Sequence, residues 1–172
     1  MIQPLVLLVA SLALRGDVPT KPVNSTFATL TRPVVLHRDT TSRSILMNRE
    51  IDRRLAMGDV GGARAVYRSL IAYSDSVGEF PGEPLWALAT LEFSRGREVR
   101  AAQWLDALAD AAVRYGRPDW QARAVLEAGL LYQQHGRTDL SVERYRTLVP
   151  LLDSPLISEE QRAAMKARVV RR

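Results

Sequence analysis

Apolar residues recur in this chain at helical spacing, in short runs that glycine and proline interrupt. From Trp120 to Gln134 they fall at Trp120, Ala124, Ala128, Leu131 and Tyr132, one face of an amphipathic helix. Gly136 closes that helix and Thr138 or Asp139 offers a cap for the next, where Val142, Tyr145, Val149 and Leu152 keep a helical spacing. Caps at Thr41 to Ser44 open a first helix with a stripe of Met47, Ile51 and Leu55, ended by Gly58. Asp59 caps a second, with Ala63, Val66, Tyr67, Leu70 and Ile71 on one face. Ser74 to Glu83 contains Gly78, Pro81 and Gly82 and is expected as a loop. Pro84 suits the first turn of a third helix, with Leu85, Trp86, Leu88 and Leu91 apolar and Gly96 at its end. A fourth shows Ala101, Trp104, Leu105, Leu108, Ala112 and Tyr115 and stops at Gly116, and Pro118 opens the fifth. Pro150 must end or kink the sixth, because it cannot donate to its preceding turn. Ser158 and Gln161 form a capping box for a last helix from Glu159, in which Ala163, Ala167 and Val170 are expected to pack inward.

The spacing of the turns carries more than the helices themselves. Gly58, Gly96 and Gly136 lie 38 and 40 residues apart (96−58 and 136−96). Five residues after each stands Ala63, Ala101 or Ser141, and nine after each Tyr67, Leu105 or Tyr145. Small and large residues at matching offsets predict that three helix pairs share one packing plan. A pair this small cannot bury its apolar face alone, so the pairs must stack.

This arrangement resembles the tetratricopeptide repeat, whose pattern runs Trp-x2-Leu-Gly-x2-Tyr, then Ala-x3-Phe, then Pro. Val125, Ala128, Gly129 and Tyr132 fall on its first half, and Ser141, Tyr145 and Pro150 or Pro155 lie near its second. Gly129 and Ser141 are small where the helices of one repeat cross closely. Glu50, Ile51 and Arg54 depart from the pattern in the first pair, and Glu92 stands in place of the tyrosine in the second. The resemblance implies an all-α fold of stacked antiparallel helix pairs. This is a right-handed α-solenoid of about three hairpins, with a C-terminal capping helix and an extended N-terminal arm. It further implies that the first helix of each pair lines a concave, partner-binding groove. Position by position, that groove would present Asn48 and Asp52, then Trp86, Thr90 and Phe93, then Arg123, Leu126, Leu130 and Gln133. The opposing reading makes Trp86, Phe93 and Leu130 core residues.

The N-terminal region has a different character. Leu5 to Leu14 is a nearly unbroken apolar run, with Leu5, Val6, Leu7, Leu8, Val9, Leu12 and Leu14 its candidate anchor residues. Ten residues are too few to cross a bilayer, which needs about 20. A cleaved signal, a retained anchor and a segment packed on the chain's own helices all remain open, since no Lys or Arg precedes the run. Arg15 to Ser44 reads as an extended arm, broken by Pro19, Pro22 and Pro33, too long for a loop inside a compact domain. The expected organisation is therefore an apolar segment over 1–14, an arm over 15–44 and a helical-repeat domain over 45–172.

Composition narrows the function. The chain of 172 residues has no cysteine, which excludes disulfides and thiolate metal sites. Its net charge of +5 is uneven: residues 1–44 hold five Lys/Arg against two Asp/Glu, and residues 162–172 hold five Lys/Arg and no acid. Residues 45–161 hold 14 basic against 17 acidic residues, so the helical body is mildly acidic. That balance argues against a broad nucleic-acid face. No phosphate loop, paired-carboxylate signature or metal-ligand spacing appears, and His37 and His135 are far apart. His135, one residue before a turn glycine, suits the end of its own helix, and Asp106 and Asp110 read as a solvated face.

The expectation is a non-catalytic scaffold for protein–protein interaction, with no cofactor, no metal, no small-molecule substrate and no nucleic acid. The apolar start, proline-rich arm and basic ends suggest attachment to a membrane complex of the bacterial cell envelope, on its periplasmic side. A respiratory or photosynthetic assembly would fit. The alternative is a soluble adaptor, secreted or cytoplasmic, that holds a peptide in its groove. The run at 1–14 is the expected contact with a membrane surface, and the chain's own N-terminal residues are a further candidate for filling the groove.

Overall fold

The structure, a computed structural model, describes residues 37–170. The apolar run at Leu5–Leu14, Pro19, Pro22, Pro33, and the terminal Arg171 and Arg172 lie outside the described residues. Seven helices and no strand are found among the described residues. They are α1 (His37–Ala56), α2 (Val60–Ser76), α3 (Gly82–Ser94), α4 (Glu98–Arg114), α5 (Pro118–Gln134), α6 (Thr138–Leu151) and α7 (Glu159–Val170). In chain order the first six make three successive pairs and α7 follows; α2 packs on α3, α3 on α4, α4 on α5 and α5 on α6, so the architecture is an all-α solenoid. α1 starts at His37, ahead of the caps expected at Thr41 to Ser44, so residues 37–44 belong to a helix rather than to the arm.

The turns follow from the glycines. Gly58, Gly78, Gly96, Gly116 and Gly136 take φ of 62–74°, the left-handed region where a side chain is strained. At all five the following N–H reaches the carbonyl five residues back, Glu79 to Ser74 at 2.8 Å after Gly78, and at the other four Asp59 to Arg54, Arg97 to Glu92, Arg117 to Ala112 and Arg137 to Tyr132, at 2.8–3.0 Å. At those four this hydrogen-bonded stop reverses the chain within three residues and fixes where the next helix starts. Asp59 caps α2 as expected, accepting from Gly62 N at 2.8 Å. Neither Thr138 nor Asp139 caps α6. The turn at Gly136 puts Arg137 in the cap position, which leaves both residues in the first helical turn. Ser158 and Gln161 do form the expected box, each accepting from the other's backbone N–H, at 3.1 and 3.2 Å.

Ala63, Ala101 and Ser141 are all buried, as their shared offset predicts. Gly129 is buried too, and a Cβ there would lie 2.9 Å from Tyr145 Cε1 and 3.3 Å from Arg144 Cβ. Helices α5 and α6 therefore approach as closely as a missing side chain permits. A second shared offset holds the core: Leu70, Leu108 and Leu148, twelve residues after each turn glycine, are all buried.

Two inward faces differ from expectation. In α6 the buried residues are Ser141 and Leu148, followed by Leu152 just past its end, while Val142 and Val149 are 39% and 65% exposed. Seating Ser141 against α5 turns the helix by one position and carries the valines outward. In α7, Ala163 and Ala167 are exposed, Met165 is buried, and Arg168 turns inward to pair with the Glu127 carboxylate. The ion pair orients α7 where an alanine face would have oriented it otherwise. Pro150 lies in the last turn of α6, and the helix ends one residue later.

Candidate functional site

The start of α5 and the start of α3 bring half-buried aromatic rings together. Trp120, two residues after the helix-opening Pro118, meets Trp86, two residues after Pro84, edge to face at 6.4 Å and 81°. Phe80, from the segment before α3, packs on Trp120 at 5.6 Å and on Tyr115 at 5.7 Å. These spacings lie in the range where the ring quadrupoles attract. The proline near each helix start fixes φ and has no N–H to leave unsatisfied, so Trp120 sits on a rigid first turn and Trp86 just past one.

Two arginines cover this ledge. The Arg123 guanidinium lies 4.9 Å from the Trp86 ring and 5.4 Å from that of Trp120, and the Arg117 guanidinium lies 5.3 Å from Phe80. Arg117 is held in place by Asp119, to which its Nε and Nη2 donate at 3.1 and 2.9 Å. Burial pushes the Asp119 carboxyl up, but the hydrogen bonds from Arg117 and the backbone outweigh it, and the group titrates below the ordinary carboxylate range. The Tyr115 hydroxyl is pushed up, by desolvation first and then by donating to Asp75 Oδ1 at 3.2 Å. The result is a cluster of mutually tilted rings flanked by guanidinium groups, suited to the apolar side chains of a partner.

The residues expected in the groove separate into three groups. Trp86 and Arg123 come together on the ledge. Asn48 and Asp52 on α1 are exposed, as is Thr90, whose hydroxyl donates to the Trp86 carbonyl at 3.0 Å, while Phe93 is half-buried. Gln133 is also exposed, and its Oε1 accepts from the Tyr145 hydroxyl at 2.9 Å. Leu126 and Leu130 do not line a groove: each is 1% exposed. Every residue of α5 from Ala124 to Tyr132 is buried, so this helix presents no open stripe there. Trp120, expected on the packing face, instead joins the ledge, as do Phe80, Tyr115 and Arg117. The Pro-x-Trp spacing shared by Pro84–Trp86 and Pro118–Trp120 is the sequence signal that pairs the two indoles.

Charged groups inside the array have structural partners. Glu92 is fully buried; Arg64 of α2 donates to its Oε1, and Arg97 Nε stands 2.7 Å from Oε2 without hydrogen-bond alignment. Asp106 is not a solvated residue: Tyr132 donates to it at 2.7 Å and Arg144 at 2.6 and 3.0 Å. Desolvation, then the bond to Asp106, raises the Tyr132 hydroxyl well above the ordinary phenol range. His135 ends α5, and its Nε2 contacts the Glu98 carboxylate of α4. No helix among the described residues is long and apolar enough to cross a membrane. Comparison with protein-family models, with curated proteins and with solved structures finds no match for this chain.

Proposed function

We propose that this chain is a non-catalytic scaffold of tetratricopeptide-like type, and that the ledge formed by Trp86, Trp120 and Phe80 is where it holds another protein. The observation that carries this reading is the placement of two half-buried indoles side by side beneath Arg123, near rigid helix starts. Tryptophan and arginine at a well-packed site are the residue types that dominate protein–protein binding energy. Attachment to a membrane-associated envelope complex is the part of the proposal that rests on the apolar run at Leu5–Leu14.

Photo-crosslinking in the native host tests both parts. A benzoylphenylalanine at Trp86 is expected to give a discrete protein adduct, lost when Trp120→Ala and Arg123→Ala are added. Adducts only from a control position such as Arg146 would reject the ledge. Recovery of the adduct from the soluble fraction, with residues 1–14 still on the chain, would reject the membrane attachment.

A further inference from the structure

The second helices of the first two pairs, α2 and α4, enclose an opening of a different kind. Two clefts of about 310 and 400 Å³ lie between them and share Arg68, Trp104 and Ala107, so they form one continuous trough. Its basic end holds Arg64, Arg68 and Arg100. Arg64 is engaged by Glu92, but Arg68 and Arg100 are exposed, with no carboxylate in ion-pair reach among the described residues. Farther along, Ile71, Pro81 and Leu85 give the wall apolar surface, and Asp75, Asp110 and Arg114 line the same part, Arg114 standing 3.5 Å from the Asp75 carboxylate.

The next pair of equivalent helices shows how such a gap is filled. Arg68 and Asp106 each stand ten residues after a turn glycine, and Trp104 and Arg144 each stand eight after one. Between α4 and α6 the gap is closed from within: Arg144 donates twice to Asp106, and its guanidinium lies 6.0 Å from the Tyr132 ring. Between α2 and α4 the corresponding positions carry a guanidinium and an indole. The arginine and the aromatic ring are both present, and the carboxylate there, Glu92 at the position matched to Tyr132, is fully buried and held by Arg64 and Arg97, so it forms no ion pair with Arg68.

We propose that this trough docks a short acidic segment of a partner protein, with carboxylates on Arg68 and Arg100 and an adjacent apolar side chain against Trp104 and Ile71. Arginine forks bind carboxylates in a two-pronged fashion, which fixes orientation as well as charge. A free anion would use the basic end alone. Only a stretch of chain spans the basic end and the apolar wall together, and that decides for a peptide over a small ligand. The trough adjoins the aromatic ledge only where Asp75 accepts from Tyr115, and Arg68, Arg100 and Trp104 belong to the trough alone, so it does not depend on the function proposed above.

The test is selection of a random-peptide display library on the full chain, followed by titration of the leading peptide with its C-terminus amidated. Selected peptides are expected to combine Asp or Glu with a neighbouring apolar residue, to shift the Trp104 indole resonance and to bind less tightly as salt rises. Affinity should fall about tenfold or more in Arg68→Glu/Arg100→Glu and stay unchanged in Arg123→Ala. Arg68→Gln/Arg100→Gln, which removes charge without repulsion, should show the same direction, and both double variants should melt as the parent does. The proposal is overturned by any of four results. These are no selected peptide, selected peptides without acidic residues, undiminished binding to the double variants, or shifts at Trp86 and Trp120 in place of Trp104. Displacement of the peptide by free glutamate or inorganic phosphate at matching concentrations would mark a small-anion site and overturn it as well.

Discussion

The junction between the first and second helix pairs and that between the second and third occupy the same place in the array, yet they are built differently. α4 meets α5 along most of its length, whereas α2 touches α3 over a much smaller part. Helix α4 buries Ala101, Ala102, Leu105, Leu108, Ala109, Ala111 and Ala112, and α2 buries only Ala63, Leu70 and Ser74. The sequence cause lies at matched positions. Six residues after the turn glycine stands Ala102 in α4 but Arg64 in α2; ten after it, Asp106 but Arg68. Four before the glycine that ends the facing helix stands Tyr132 in α5 but Glu92 in α3. Small side chains let one junction close on dispersion contacts. In the other, a charged clamp holds the helices while bulky cations keep them apart. One plan therefore yields a solid body and a cleft.

The largest effect should come from testing that difference with one substitution at two equivalent sites. Leu108→Ala should cost about 4 kcal/mol and Leu70→Ala about 2 kcal/mol in urea unfolding, because only the tighter junction cannot collapse around the cavity. Equal losses would erase the distinction. Next, Arg64→Ala leaves the buried Glu92 carboxylate with the poorly aligned Arg97 alone and should cost about 3 kcal/mol. Installing the other junction's residues together, Arg64→Ala with Arg68→Asp and Glu92→Tyr, should restore much of that loss. A melting temperature no higher than that of Arg64→Ala would break the equivalence. Gly129→Val should cost about 2 kcal/mol through its clash with Tyr145, measured the same way.

The smallest effect concerns pH. Hydrogen bonds from Arg53, then Arg54, bring the half-buried Glu50 carboxyl down to about 2. Because the folded value is depressed, its contribution to α1 is present above the ordinary carboxylate value of 4.5 and is lost as pH falls toward 2. Carboxyl NMR should follow Glu50 titrating near 2, and a midpoint near 4.5 would remove this anchor.

Much of this fold is legible in the sequence because its punctuation is local. The turn glycines, the Asp59 cap and the Ser158–Gln161 box each act within a few residues, and the small residues at Ala63, Ala101 and Ser141 repeat at a fixed offset. Rotation about a helix axis is less legible. Val142 and Val149 form as regular a stripe as Ser141 and Leu148, and only the close approach of Gly129 to Tyr145 selects between them. Trp86 and Arg123 could be placed on one surface from their positions. Leu126 and Leu130 could not be separated from it, because the burial of α5 depends on helices distant in sequence. Charge was the least legible feature: Asp106 and Arg168 look solvated until Arg144 and Glu127 are brought beside them.

Native-state hydrogen exchange over α2 and α4 measures the contrast between the two junctions most directly. The account predicts that amides of α2 open at a distinctly lower free energy than those of α4, which should exchange only with global unfolding. Matching opening energies for the two helices would contradict it.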